Sequence, residues 1–191
     1  MDKESGQVDS KIGGLTILSF ALARGITNLP SLVISLLLIE VAETFGVPVG
    51  VAGQLTTASS ILAITFAVLM GVASVRYNHK TLLAYGLLVY VISASFSYFA
   101  GSFYLVMIFF SLSGIATAMV YPMINALIGE LILVGKRTST IGWTIAGMAL
   151  TYLAGALATN YLAGVSGWRM ALLLIVAPIT LVTLVLVYLK T

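Results

Sequence analysis

The sequence predicts an all-α integral membrane protein with six transmembrane helices. Three observations carry that prediction. Of 191 residues, 60% are hydrophobic and only 8% charged, where soluble domains run at about 25% charged. The mean hydropathy is +1.13. Several apolar runs reach the roughly 20 residues that a helix needs to cross a hydrocarbon core of about 30 Å. In lipid every backbone polar group must be satisfied internally, so these runs are read as helices.

The elements follow in order. Residues 1–13 open with "MDKESGQVDSK", which is polar and mixed in sign. It lacks the basic-then-apolar pattern of a cleaved signal, so it reads as a cytoplasmic tail ahead of a retained first span. Residues 14–191 then form one transmembrane domain, with helices expected at about 14–40, 50–75, 81–100, 103–129, 139–162 and 168–189. The breaks between them are short: "AETFGVPVG", "VRYNHK", the tight "AGS" turn from Ala100 to Ser102, "ELILVGKRTST" and "AGVSGWR".

Charge orients the helices. Six crossings place Lys3, Lys11, Arg76, Lys80, Lys136, Arg137 and Lys190 on one side and Arg169 on the other, with Arg24 inside a span. Basic residues gather on the cytoplasmic side, so both termini are expected there, in a multi-pass protein of the plasma (inner) membrane. Glu40 and Glu43 then lie at the outer end of the first helix, and Trp143 and Trp168 read as aromatic anchors at the two interfaces.

Several classes of function drop out. The chain has no cysteine, which removes disulfides, thiolate metal sites and cysteine nucleophiles. Its net charge of +3 is small and scattered, which does not suit nucleic acid. No hydrolase or metalloprotease motif is present, and the one histidine, His79, falls in a loop. No enzyme, cofactor or metal is expected.

Three motifs point further. "GVASVRYNHKTLL", residues 71–83, resembles the loop between the second and third helices of the major facilitator superfamily, Gly-x-Leu-Ala-Asp-Arg-x-Gly-Arg-Lys-x-x-Leu. Gly71, Arg76, Lys80 and Leu83 match in register, while Val75 replaces the aspartate and Asn78 the glycine. "GELILVGKRTSTIG" is similar to the family's connection from helix 4 to helix 5, with Glu130, Arg137 and Gly142 in place. "GWR" at Gly167, Trp168 and Arg169 is similar to its entry into helix 6. The resemblance covers essentially the whole chain, but only as the N-terminal six-helix half of the usual twelve.

The resemblance implies two inverted three-helix repeats, with a transport site near the midplane where Gly or Pro interrupts corresponding helices. Helices 1 and 4 correspond, and they carry Pro30 and Pro122. These two prolines are the expected hinges, and Gly71, Arg76, Lys80, Glu130 and Arg137 the expected gating or cytoplasmic-loop residues. In the fifth span Gly147, Thr151, Gly155 and Thr159 recur every four residues. Such a face suits close helix packing in lipid, with a gating hinge as the alternative.

Arg24 is the feature that asks for a function. At 1.5 Å per residue from Gly14 it lies about 15 Å deep, near the midplane. An unpaired arginine there costs at least about 2.5 kcal/mol, so it should face the bundle interior or a watery cavity. The chain offers no acidic residue at that depth. Tyr121 falls in the same layer on helix 4, Asn28 lies one turn from Arg24, and Asn125 one turn from Tyr121 toward the cytoplasm. Arg24, Asn28, Tyr121 and Asn125 are therefore the expected solute-binding set, and a guanidinium fork favours carboxylate or phosphate. The competing reading is that backbone carbonyls freed near Gly25 and the prolines cap Arg24.

The function expected is secondary active or facilitative transport, antiport included, of a small solute such as an organic or phosphorylated anion, by alternating access about a midplane site. The alternatives are a non-transporting membrane scaffold, or an isolated half that is inactive alone. A lone half would expose its cavity face, so the partners expected are the bilayer, the solute and a second six-helix half. That half is either a second copy in a homodimer or a C-terminal half.

Overall fold

The computed structural model describes residues 14–190, all helical apart from short turns. The tail expected over residues 1–13, with Lys3 and Lys11, lies outside the described residues. The first span is built from α1 (Gly14–Ile26), α2 (Leu29–Leu36) and α3 (Leu38–Phe45), and the second from α4 (Val49–Ala52) and α5 (Gln54–Arg76). The third is α6 (His79–Phe99) and the fourth α7 (Phe103–Leu131). The last helix, α8 (Val134–Lys190), holds the fifth and sixth spans.

Local chemistry sets these boundaries. Pro30 has no N–H to donate to Ile26, so the first span tightens just before it. There the Thr27 N–H reaches the Arg24 carbonyl at 3.3 Å and the Asn28 N–H reaches that of Gly25 at 3.4 Å. Pro122 behaves differently, because α7 runs through it without a break. The symmetrical interruption expected of the first and fourth spans is thus seen only in the first. Asn78 caps α6, its side chain accepting from the Lys80 N–H at 2.8 Å, and Ser102 caps α7 through Leu105.

A helix of 57 residues is long enough to cross the bilayer twice. One residue turns it back. Gly167 takes φ 76° and ψ 167°, a conformation open in practice to glycine alone. The expected break over "AGVSGWR" is therefore a single-residue hinge, with helix up to Ser166 and again from Trp168. Gly167→Ala should lower stability by about 1 to 3 kcal/mol, the cost of holding a non-glycine residue in such a region. A melting curve in detergent measures it, and an unchanged midpoint would contradict the strain.

Between spans, small residues decide the packing, as lipid supplies no hydrophobic drive for helices to associate. The fifth-span stripe lies against the first span in matched steps. A Cβ on Gly147 would sit 2.5 Å from Ala21 Cβ, one on Gly25 within 2.5 Å of Thr151 Cβ, and one on Gly155 2.5 Å from Leu29 Cδ2. Both sequences ascend together along this contact, so the two helices run parallel. The second span packs against the fourth, where the buried hydroxyls of Ser59 and Ser113 pair at 2.9 Å.

The third span sits behind the first and fourth. Fully buried Tyr90 places its hydroxyl 3.2 Å from the Thr27 carbonyl and 2.6 Å from Thr117 Oγ1. At the opposite end of the bundle from the Arg76 and Arg137 loops, Trp168 is only 4% exposed. It donates to Thr44 Oγ1 at 3.0 Å and stacks edge-on against Phe45. Trp168 is thus an interhelical lock rather than a lipid-facing anchor, because the Gly167 hinge turns it in against the end of the first span. Trp143 is exposed.

The six spans match the all-α, two-repeat architecture expected from the sequence. Three spans per repeat is an odd number, so the second repeat starts from the opposite side and runs inverted relative to the first.

Candidate solute site

The first, fourth and fifth spans converge on Arg24, which is only 3% exposed. Its Nη1 donates to Thr144 Oγ1 at 2.8 Å and its Nη2 to Asn125 Oδ1 at 3.1 Å. The guanidinium carbon lies 4.8 Å from the centre of the Tyr121 ring, a cation–π distance. Thr144 is fully buried and its hydroxyl donates a hydrogen bond to the Ile141 carbonyl at 2.8 Å, which leaves a lone pair facing Arg24.

Side-chain direction explains this choice of partners. Side chains on a helix lean toward its N-terminus. The Arg24 side chain therefore reaches back toward the N-terminal end of the first span, where Asn125 lies on the antiparallel fourth span. It leans away from Asn28, one turn on. Asn28 is exposed, and its amide goes instead to Thr27 Oγ1 at 3.3 Å and Met148 Sδ at 3.6 Å. Of the four residues expected at the site, Arg24, Tyr121 and Asn125 meet in one cluster, and Asn28 stands beside it on the open face.

Among the described residues no backbone carbonyl takes the guanidinium. The carbonyl of Arg24 itself accepts from Thr27 Oγ1 at 2.6 Å, so the turn before Pro30 is satisfied by a threonine. Thr144 is not among the residues that the sequence marks out. The usable signal was its place one turn before Gly147, at the head of the stripe that lies against the first span.

The electrostatic balance of the cluster is unusual. Guanidinium carries five N–H donors, and the protein uses two. Nε is buried and has no hydrogen-bond partner. Among the described residues no carboxylate pairs with Arg24, the one ion pair being His79 with Glu130. Both bonded partners are neutral, so among the described residues no opposite charge offsets the guanidinium. Beside it, a mostly apolar hollow of about 430 Å³ runs between the second and fourth spans, lined by Ala63, Ile64, Ala67, Met70, Tyr121 and Pro122. The arrangement can hold an anionic group at Arg24 and an apolar portion along the hollow.

The loop residues lie together at one end of the bundle. His79 is not a free loop residue, because the Asn78 cap makes it the first residue of α6. Its Nδ1 meets Glu130 Oε1, at the end of α7, at 2.7 Å. Arg137 donates from Nε to the Ile132 carbonyl at 2.9 Å and also binds the Gly129 carbonyl, closing the end of the fourth span. Lys80 Nζ donates to the Tyr188 carbonyl at 3.1 Å. Gly71 and Arg76 are exposed on the last turns of the second span.

Comparison with known proteins gives a consistent picture. The sequence family described as the Major Facilitator Superfamily matches residues 14–191. Among solved structures, the chain is similar to a bacterial homologue of the human lysosomal transporter Spinster in its inward-facing, unoccupied conformation. The TM-score is 0.79 at 21% identity, over 92% of this chain and 42% of that one. The occupied inward-facing form of such a homologue gives a TM-score of 0.75 at 22% identity, over 92% and 43%. At these identities the likeness is one of fold. The chain spans less than half the length of these proteins. Among curated protein sequences none matches.

Proposed function

The chain belongs to the Major Facilitator Superfamily, and from that membership we propose that it is half of a secondary active or facilitative transporter. Its solute is a small organic or phosphorylated anion, taken up or exchanged by alternating access about a midplane site. The observation that carries this reading is the Arg24 guanidinium, buried with neutral partners and with an unfilled Nε donor. An anion supplies both the missing charge and the missing acceptors. Arg24 is the main ligand, Asn125 and Tyr121 frame it, and exposed Asn28 meets the solute on the open face. The reading is transport, with no bond made or broken.

A second six-helix half completes the site. Only 6% of the apolar stretch of the second span is buried, against 72% for the first. Its Ile64, Val68, Val72 and Val75 form an exposed row. A second copy of the chain or a C-terminal half would cover that row and close the cavity. In a homodimer two Arg24 side chains face one another and need an anion between them. Alternating access then rocks the halves, the first span yielding at the turn before Pro30, with Gly71, Arg76, Lys80, Glu130 and Arg137 at the cytoplasmic gate and both termini in the cytoplasm. The small-residue stripe of the fifth span, which a scaffold would use on a partner, is spent on the first span, and this favours transport.

The native chain has no cysteine, so single cysteines at Asn28 and Tyr121 can be labelled without background. Both positions are expected to react with a membrane-impermeant maleimide in proteoliposomes and to be protected by a transported anion. If neither reacts, or if anions and cations protect alike, the reading fails.

A further inference from the structure

A groove lies on another face of the bundle. The third and sixth spans leave a groove between them, formed by two adjoining hollows of about 340 and 450 Å³ that share Ala84, Leu88 and Tyr188. Its floor is apolar: Ala84 and Leu88 from the third span, Leu184 and Val185 from the sixth. At its loop end stands Lys80, whose ammonium lies 5.5 Å from the centre of the Tyr188 ring and donates to the Tyr188 carbonyl. Ammonium carries three donors, and that carbonyl takes one. Among the described residues no carboxylate pairs with Lys80, since Glu130 is held by His79.

The groove faces away from the solute site. Tyr90 points from the third span toward the first and fourth. Leu88, two residues back, lies about 200° round the same helix. The opening is therefore on the face turned from Arg24, Asn28 and Tyr121, where a helix bundle meets lipid. Its length also fits. From Lys80 to Leu88 the helix rises about 12 Å, close to the roughly 15 Å that one leaflet contributes to a 30 Å hydrocarbon core. The end that holds Lys80 also carries Arg76 and Arg137, so the local field favours an anion.

We propose that this groove binds an anionic phospholipid of the leaflet on the Lys80 side. The phosphate pairs with the Lys80 ammonium, and one acyl chain lies along Ala84, Leu88 and Val185 beside the exposed rings of Tyr85 and Tyr188. An apolar trough ending in a cation at interface depth matches an acyl chain ending in an anionic headgroup. A zwitterionic lipid fills the trough equally well but brings its own cation to Lys80.

The test uses the full chain in detergent, melted with added phosphatidylglycerol, with phosphatidylcholine of the same acyl chains, or with soluble glycerophosphoglycerol. Phosphatidylglycerol should raise the midpoint by several degrees more than phosphatidylcholine, and the soluble headgroup should do nothing. Lys80→Gln should erase the difference between the two lipids. Ala84→Trp, which fills the trough and leaves the ammonium in place, should erase it too, and decides the matter if Lys80→Gln does not fold. Equal effects of the two lipids on the native chain, a preference that survives either substitution, or a shift from the soluble headgroup alone would overturn the proposal.

Discussion

Replacing Arg24 by glutamine should abolish anion-dependent behaviour while leaving the anion-free protein at least as stable as the native chain. The two halves of that expectation come from one feature. A buried guanidinium held by two neutral oxygens and a ring carries a desolvation cost that its partners only partly offset. At membrane depth that cost is about 2.5 to 3.5 kcal/mol on insertion scales. Glutamine keeps an amide donor for Thr144 or Asn125 and removes the charge. If Arg24 serves the fold, the substitution lowers the melting midpoint. If it serves a solute, the midpoint holds or rises without anion, and the shift caused by a carboxylate or phosphate disappears. Removing one partner of a buried, hydrogen-bonded charge pair typically costs about 2 to 5 kcal/mol, so anion affinity should fall by about 30-fold to several thousand-fold. Lysine at this position keeps the charge but not the planar fork, and should recover only part of the affinity. A lower midpoint in Arg24→Gln together with an intact anion shift would remove Arg24 from the site.

Much of this was legible in the sequence, and the limits have physical reasons. Composition and run length give the spans because the bilayer imposes one length on all of them. Arg24 stood out because a charge in an apolar run has few explanations. Its partners were harder to read. Tyr121 and Asn125 could be reached by counting residues inward along the fourth helix, since depth follows from helical rise. Asn28 shares the helix and the face, but the N-terminal lean of side chains takes Arg24 the other way. Thr144 carries no charge and follows no break, so only its phase relative to the Gly147 stripe marked it. At the loop end, Val75 at the aspartate position is visible in the sequence, but the contact of His79 with Glu130 depends on two helix ends meeting. That is a tertiary fact that local sequence does not carry.

The largest effect on folding should come from Gly114. A Cβ there would lie 1.9 Å from the Ser59 carbonyl oxygen and 3.0 Å from the Ala63 backbone nitrogen. Both atoms are backbone, so no rotamer change can relieve the overlap, and the second and fourth spans must separate. Their separation breaks more than a van der Waals contact. The Ser59 and Ser113 hydroxyls, each buried, answer one another across the same crossing. In a helix the donated proton can fall back on a carbonyl one turn away, but the acceptor lone pairs lose their partner. The second span has little else to hold it, since only 6% of its apolar stretch is buried. Overpacking commonly costs about 1 to 3 kcal/mol when side chains can yield, and backbone against backbone should exceed that. Gly114→Leu is therefore expected to give protein that inserts but does not stay monodisperse in detergent. Gly164→Leu, where an added Cβ meets nothing within 4 Å, should behave as the native chain does. Size-exclusion profiles of the two variants separate the effect of position from that of added bulk. Equal profiles would mean that the crossing at Gly114 does not hold the second span in place.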